Sequence, residues 1–220
     1  VPNLGAKVGM SDIDPGIDHM TAMQVIKRMH ANCGKINTFH SSCGGLPTPE
    51  ANDNPFGYKF SWSPRGVLLA GLNSARFRRD AEVRDVPGEQ LFDNVWPVQV
   101  AIEGADTALE GYPNRDSMPY QDLYGLKDAQ TVMRGTYRYV GWCDTLKKIV
   151  DLGLVDDAPD AALANITFRK MMADIAGVEP SLRVNGLFRG LGLAPVLLHH
   201  DVAADADLAL LGDSKLDPGA

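Results

Sequence analysis

Arginine, hydroxyl and carboxylate side chains cluster in three short stretches of this 220-residue chain: Asp14-Pro15-Gly16, Pro113-Asn114-Arg115-Asp116 and Gly135-Thr136-Tyr137-Arg138-Tyr139. A guanidinium holds a carboxylate through two parallel hydrogen bonds, so Arg115 and Arg138 are the natural receptors for an anionic small molecule. Thr136 and Arg138 are two apart; on a strand they share a face about 7 Å apart, close enough for hydroxyl and guanidinium to share one ligand. Arg115 stands among turn formers. The plain alternative is a local pair with Asp116. Asp14 reads equally well as a helix cap, with Pro15 in the first helical position, where its missing N–H costs nothing. Ser63 before Pro64 has the same build, and a helix start there favours anions through its free N–H groups and dipole.

Other reactive side chains lead to milder readings. Cys43 beside Gly44-Gly45 has no base near it in sequence and reads as a partly buried structural thiol. His40 and Cys43 are three apart on a strand and face opposite ways, and His199-His200 cannot readily aim at one ion, so no metal site is expected. His19, in the first helical turns, reads as a hydrogen-bonded core histidine. Three cysteines without a C-x-x-C spacing indicate neither a disulfide framework nor zinc.

The elements that must position these groups follow from periodicity. Ile17, Met20, Ala22, Met23, Ile26 and Met29 recur at helical spacing until Gly34. Residues 35–42 read as a strand that runs into a long loop, Cys43 to Trp62, rich in Gly and Pro and closed by Tyr58, Phe60 and Trp62. Loops this long and specific inside a domain usually carry function. A helix is expected from Pro64 to about Asn73, one or two short edge strands from Arg76 to Val86, a short helix from Glu89 and a strand near Ala108 to Tyr112. Thr131 to Val140 is the clearest strand, with Val132, Arg134, Thr136, Arg138 and Val140 on one face. Helical faces follow: Trp142, Leu146, Ile149 and Val150, then Phe168, Met171, Met172 and Ile175, and a short helix from Ser181 to about Leu191.

The fold class expected is α+β, a mixed β-sheet with helices on one face followed by a small all-helical segment. Domain limits are placed at 1–142 for the α+β part and 143–200 for the helical part, with 201–220 as an acidic flexible tail. The composition, 45% hydrophobic and 22% charged, is that of an ordinary globular chain, and a formal charge of −7 speaks against nucleic acid or an anionic membrane as partner. No apolar run approaches the length of a membrane span, and Val1 onward lacks the build of a signal peptide, so the expected location is cytoplasmic.

One resemblance covers about residues 10 to 155. The stretch CGGLPTPEANDNPFGYKFSWSPRGVLLA (Cys43–Ala70), with DPGIDH (Asp14–His19), GYPNRDSMPY (Gly111–Tyr120) and MRGTYRYVGW (Met133–Trp142), resembles the signature of the glutamate-forming saccharopine dehydrogenases. The resemblance implies reductive condensation: the amine of glutamate and 2-aminoadipate 6-semialdehyde form an imine, which takes a hydride from NADPH to give saccharopine in lysine metabolism. It further implies that Asp14, Arg115, Thr136, Tyr137 and Arg138 line the saccharopine site, and that Ile13, Asp14, Pro15 and Ser63 approach NADP. No catalytic acid or base is singled out. Ile13 and Tyr137 stand where the family usually has Leu, and Tyr137 would narrow or stack on the pocket.

The family's nucleotide-binding Rossmann domain precedes DPGIDH, and no strand followed by G-x-G-x-x-G occurs here. Val1, without Met, is therefore read as the start of an excised piece that is inactive alone. A homodimer is expected from the resemblance and from Val132, Tyr139 and Val140, apolar residues in excess of one small core. Two rival readings are a carboxyspermidine-type dehydrogenase fragment, which would want acids where Arg115 and Arg138 stand, and a non-catalytic homodimeric module that binds an amino acid.

Overall fold

A computed structural model describes residues 16–54, 56–61, 63–102, 105–158, 161–163 and 166–179. It is an α+β arrangement built on a mixed six-stranded sheet. In chain order the elements are α1 (Asp18–Ala31), β1 (Thr38–Cys43), α2 (Pro64–Leu69), β2 (Ala75–Arg79), β3 (Glu82–Val86), β4 (Trp96–Ile102), β5 (Ala105–Pro113), α3 (Met118–Leu123), β6 (Thr131–Tyr139), α4 (Trp142–Asp151) and α5 (Phe168–Ala176).

The central strand is β6. Along one edge it pairs with β1 in parallel, Thr38 opposite Thr131 through Cys43 opposite Thr136. It also takes β5 antiparallel over Gly135–Tyr139 and meets β2 at Val132. Two hairpins, β2–β3 and β4–β5, flank it, giving the order β3-β2-β6-β5-β4. Residues 76–86 do form an edge hairpin, and the stretch from Pro64 is helical as expected, α2 passing into a 3-10 turn at Ala70–Leu72. The strand expected near Ala108 to Tyr112 is the longer β5. Its partner β4 was not anticipated: Trp96-Pro97-Val98-Gln99-Val100 alternates at period two, but Pro97 argues against a strand unless that strand lies at a sheet edge, as this one does.

Two apolar clusters hold the layers together. Ile26 of α1, Tyr124, Leu126 and Ala129 enclose Val132, which is fully buried. That overturns the idea that Val132 offers an outward apolar surface; Val140, at the end of the strand, is the exposed one. Phe77, Val86, Leu91, Phe92, Tyr112 and Met133 form the second cluster, into which Tyr58, Val67, Trp142, Cys143 and Leu146 pack. The first turns of α4 therefore belong to the core of the sheet, while α5 gathers a separate small cluster around Ala173. At about 25 cal/mol per Å² of apolar surface, each buried side chain of this size contributes roughly 1.5–3 kcal/mol. Residues 181–191 and 201–220, read from sequence as a helix and a tail, lie outside the described residues.

Candidate functional site

Strand β6 carries two buried arginines, Arg134 and Arg138. Their surroundings differ. Arg134 reaches α1 and α3: its Nη1 donates to the Tyr120 hydroxyl (3.1 Å), its Nη2 to Asp18 Oδ2 (3.4 Å), and its guanidinium lies 4.5 Å from the centre of the Tyr120 ring. Asp18 uses its other oxygen to accept from the Gly16 N–H (2.7 Å). Helix α1 begins without a side-chain cap at Ile17, so this ion pair ties its start to the sheet. Beside it, buried His19 shares a hydrogen bond with the Tyr124 hydroxyl and stacks on Tyr120 at 5.2 Å between ring centres, the core histidine anticipated. Burial, with Asp18 and Tyr120 adding to it, pushes the Tyr124 phenol well above its ordinary range and keeps its proton on.

Arg138 is 8% exposed and lies against two adjacent rings, 4.9 Å from the centre of Tyr58 and 5.4 Å from that of Trp142. The two rings are 4.7 Å apart, and Phe60 meets Tyr58 edge-on. Tyr58 comes from the long loop after β1; Trp142 opens α4. Arg138 Nη1 donates to the Tyr137 carbonyl (2.9 Å), while its Nε and the indole Nε1 of Trp142 are buried donors with no partner among the described residues. No carboxylate pairs with Arg138 among the described residues. A buried cation without a counter-ion is costly, and aromatic faces recover only part of that cost.

The neighbouring groups are also spoken for. Glu110 is the cross-strand partner of Arg138 on β5, yet its carboxylate turns to the α4 N-terminus, accepting from Cys143 N (2.6 Å) and Gly141 N (3.2 Å). Tyr112 and Thr136 stand opposite each other in the β5–β6 ladder. Burial raises the Tyr112 pKa, and the Arg138 charge pulls against it. Tyr137 is half-buried, and its carbonyl lies so near Gly44 that a Cβ there would stand 2.3 Å from the oxygen. The loop leaves β1 at this glycine and is fastened by the Tyr139 hydroxyl donating to Pro47 O (3.0 Å) and by Asn54 Nδ2 donating to Tyr58 O (2.8 Å).

Of the residues singled out in the sequence, Thr136, Tyr137 and Arg138 thus gather at one end of β6. Arg115 does not join them directly. Its neighbour Asn114 donates to Arg134 O, so Arg115 stands roughly 15 Å from Arg138 along the sheet. It is exposed, adopts a left-handed φ of 52°, and pairs with no carboxylate among the described residues; Asp116 instead accepts from Met118 N. Ser63 caps α2 by accepting from Gly66 N (3.0 Å) and is exposed. Ile13, Asp14 and Pro15 lie outside the described residues. Cys43 is half-buried, and burial, then Asp18, pushes its thiol up, which is the reverse of what a nucleophile needs. No cluster of three or more His, Cys, Asp or Glu side chains suited to a metal occurs among the described residues.

Sequence reasoning missed the roles of Tyr58, Trp142, Glu110, Asp18 and Tyr120. The aromatic end of the loop and the apolar start of α4 were visible as features, but which arginine they would enclose depends on long-range pairing.

The sequence profile of the saccharopine dehydrogenase C-terminal domain matches residues 13–211. The saccharopine dehydrogenase [NADP(+), L-glutamate-forming] of Pyricularia oryzae is 48% identical over 145 residues, 66% of this chain and 32% of its own. The enzyme of that name in Saccharomyces cerevisiae is 43% identical over 168 residues, 76% and 37% of the two chains. The mitochondrial alpha-aminoadipic semialdehyde synthase of Bos taurus is 38% identical over 218 residues, covering 95% of this chain and 23% of its own. In three dimensions the chain matches the apo saccharopine dehydrogenase (L-Glu forming) of Saccharomyces cerevisiae with a TM-score of 0.78 at 36% identity, over 94% of this chain and 47% of the other. This chain spans about a third of the length of the first two relatives.

Proposed function

Because this chain belongs to the saccharopine dehydrogenase C-terminal domain family, we propose that it is the saccharopine-holding portion of a glutamate-forming saccharopine dehydrogenase of lysine metabolism. One observation carries the reading: Arg138 is a buried guanidinium with an unspent donor and no carboxylate partner among the described residues. Saccharopine carries three carboxylates and a secondary amine. Arg138, beside Thr136 and Tyr137, takes a carboxylate at one end of the extended ligand. Arg115, at the other end of β6, takes a second, and Asp14 faces the amine.

Within the whole enzyme, glutamate and 2-aminoadipate 6-semialdehyde are the substrates and NADP the cofactor, supplying or receiving the hydride. The nucleotide is held mainly by a Rossmann domain not found in these 220 residues, and Ile13, Asp14, Pro15 and Ser63 approach it from this side. Ser63 fits such a role, because its hydroxyl oxygen caps α2 and its O–H is left to donate. The chain alone therefore turns over nothing. A homodimer in the cytoplasm completes the reading; sedimentation at micromolar concentration and cell fractionation test these two parts.

The direct test is calorimetric titration of saccharopine onto the chain and onto its Arg138→Ala variant. Binding by the former that is weakened at least tenfold in the latter is the expected result. A chain that takes up no saccharopine, or an Arg138→Ala variant that binds as well, would sink the reading.

A further inference from the structure

Glu110 and Arg138 are opposite each other in the β5–β6 ladder, both are buried, and they are of opposite charge. In most buried settings such a pair would close, since a carboxylate is the cheapest neutraliser of a buried guanidinium. Here both Glu110 oxygens accept from backbone, Oε1 from Cys143 N and Oε2 from Gly141 N, and no ion pair to Arg138 forms among the described residues. Gly141 holds a left-handed φ of 102°, and these two N–H groups belong to the first turn of α4, which has no side-chain cap of its own. Glu110 supplies that cap from another strand. The residue between the two anchored amides is Trp142, whose ring lies against Arg138.

Two consequences arise from this one contact. The indole is fixed in place beside the guanidinium, and the carboxylate best placed to neutralise Arg138 is drawn away from it. We propose that Glu110 is a positioning residue for Arg138: through Gly141 and Cys143 it holds Trp142 against the guanidinium while leaving the cation's charge for a ligand carboxylate. This rests on the reading that Arg138 takes a substrate carboxylate. It adds that the anion receptor is held by three parts, Tyr58, Trp142 and the turned-away Glu110.

The experiment uses the full 220-residue chain labelled with nitrogen-15 on arginine. The Arg138 Nε–H resonance, assigned by its disappearance in Arg138→Lys, is followed by NMR in Glu110→Ala and Glu110→Gln. Ring currents from Tyr58 and Trp142 displace this resonance in the wild-type chain. The displacement is lost in Glu110→Ala, because α4's first turn is no longer anchored. It is kept only in part in Glu110→Gln, whose side-chain carbonyl still accepts from Cys143 N while its NH2 faces the Gly141 N–H and loses that contact. A role in stability alone would lower the melting temperature without moving the Arg138 resonance. An Arg138 resonance unchanged in Glu110→Ala overturns the proposal. A displacement fully unchanged in Glu110→Gln, which loses the Gly141 contact, also overturns it, and that arm decides the matter if Glu110→Ala does not fold. Titration with saccharopine separates the two ideas. Affinity roughly tenfold weaker in Glu110→Ala and intermediate in Glu110→Gln agrees with the proposal. A wild-type chain that ignores saccharopine removes the preceding reading and leaves the resonance result standing.

Discussion

Arg134 and Arg138 are four residues apart on one strand and both lie against aromatic rings, yet among the described residues Arg134 has an ion-pair partner in Asp18 and Arg138 has none. Removing each should therefore have opposite signatures. Arg134→Ala strands the Asp18 carboxylate, 10% exposed, at the start of α1 and costs about 3 kcal/mol of stability. Arg138→Ala loses two cation–π contacts, about 1–2 kcal/mol together, and weakens saccharopine roughly ten- to a hundredfold, the value of a charge-assisted contact. Urea midpoints and calorimetry on both variants measure the contrast. Equal stability losses would mean that Arg138 is a structural cation like its neighbour.

Arg115 offers a case where stability and binding move in opposite directions. A non-glycine residue at φ 52° carries local strain of about 1 kcal/mol, so Arg115→Gly should leave the melting temperature unchanged or raise it slightly. The same change removes a proposed carboxylate receptor and should weaken saccharopine about tenfold. Wild-type affinity in Arg115→Gly would take this residue out of the site.

Gly44 is where the long loop departs from the sheet. Its missing Cβ makes room for the Tyr137 carbonyl, which would lie 2.3 Å from an added methyl. Gly44→Ala should cost about 1–3 kcal/mol by overpacking against backbone that cannot yield. It should also loosen saccharopine binding, because the displaced segment precedes Arg138. A variant with wild-type stability would show that the loop can leave the sheet by another route.

The three thiols should separate by reactivity and by pH. Cys33 is exposed, Cys43 half-buried and Cys143 buried, so iodoacetamide should modify them in that order. Burial, then Glu110, pushes the Cys143 thiol far above its ordinary value of 9.0. The folded state therefore prefers the protonated thiol, and its contribution to stability is complete below pH 9 and declines as the pH rises past it. Cys143→Ala should flatten the alkaline side of the stability profile. His40 acts at the acid side: burial, then Arg79, lowers its pKa from 6.5, so the unfolded chain binds the proton more readily and stability falls as pH drops through 6.5. In His40→Asn that fall should be shallower.

Local chemistry made much of this fold legible. The period of Thr131–Val140 foretold the strand that proves central, Ser63-Pro64 the cap and start of α2, and the run from Arg76 to Val86 one or two edge strands, which form a hairpin. What stayed hidden depends on partners distant in sequence. That β1 would lie parallel to β6 is set by a register no local signal encodes. That Trp142 would face Arg138, rather than merely fill an apolar helix face, depends on Glu110 reaching the α4 backbone from β5. Pro97 concealed β4 because a proline is compatible with a strand only where one edge needs no hydrogen bonds, and edge position is a property of the finished sheet.

The late place of β6 in the chain governs how the domain can assemble. Its parallel partner β1 is emitted from the ribosome roughly ninety residues earlier, and the β2–β3 and β4–β5 hairpins also precede it. Until β6 arrives, both hairpins lack their common neighbour and β1 has no ladder at all. Closing such distant contacts is slow, since loop entropy must be spent before the pairing rewards it. A nascent chain that stops before Thr131 therefore presents the apolar sides of Phe39, Phe77 and Tyr112 to the cell, and one strand converts this set of fragments into a single cooperative unit.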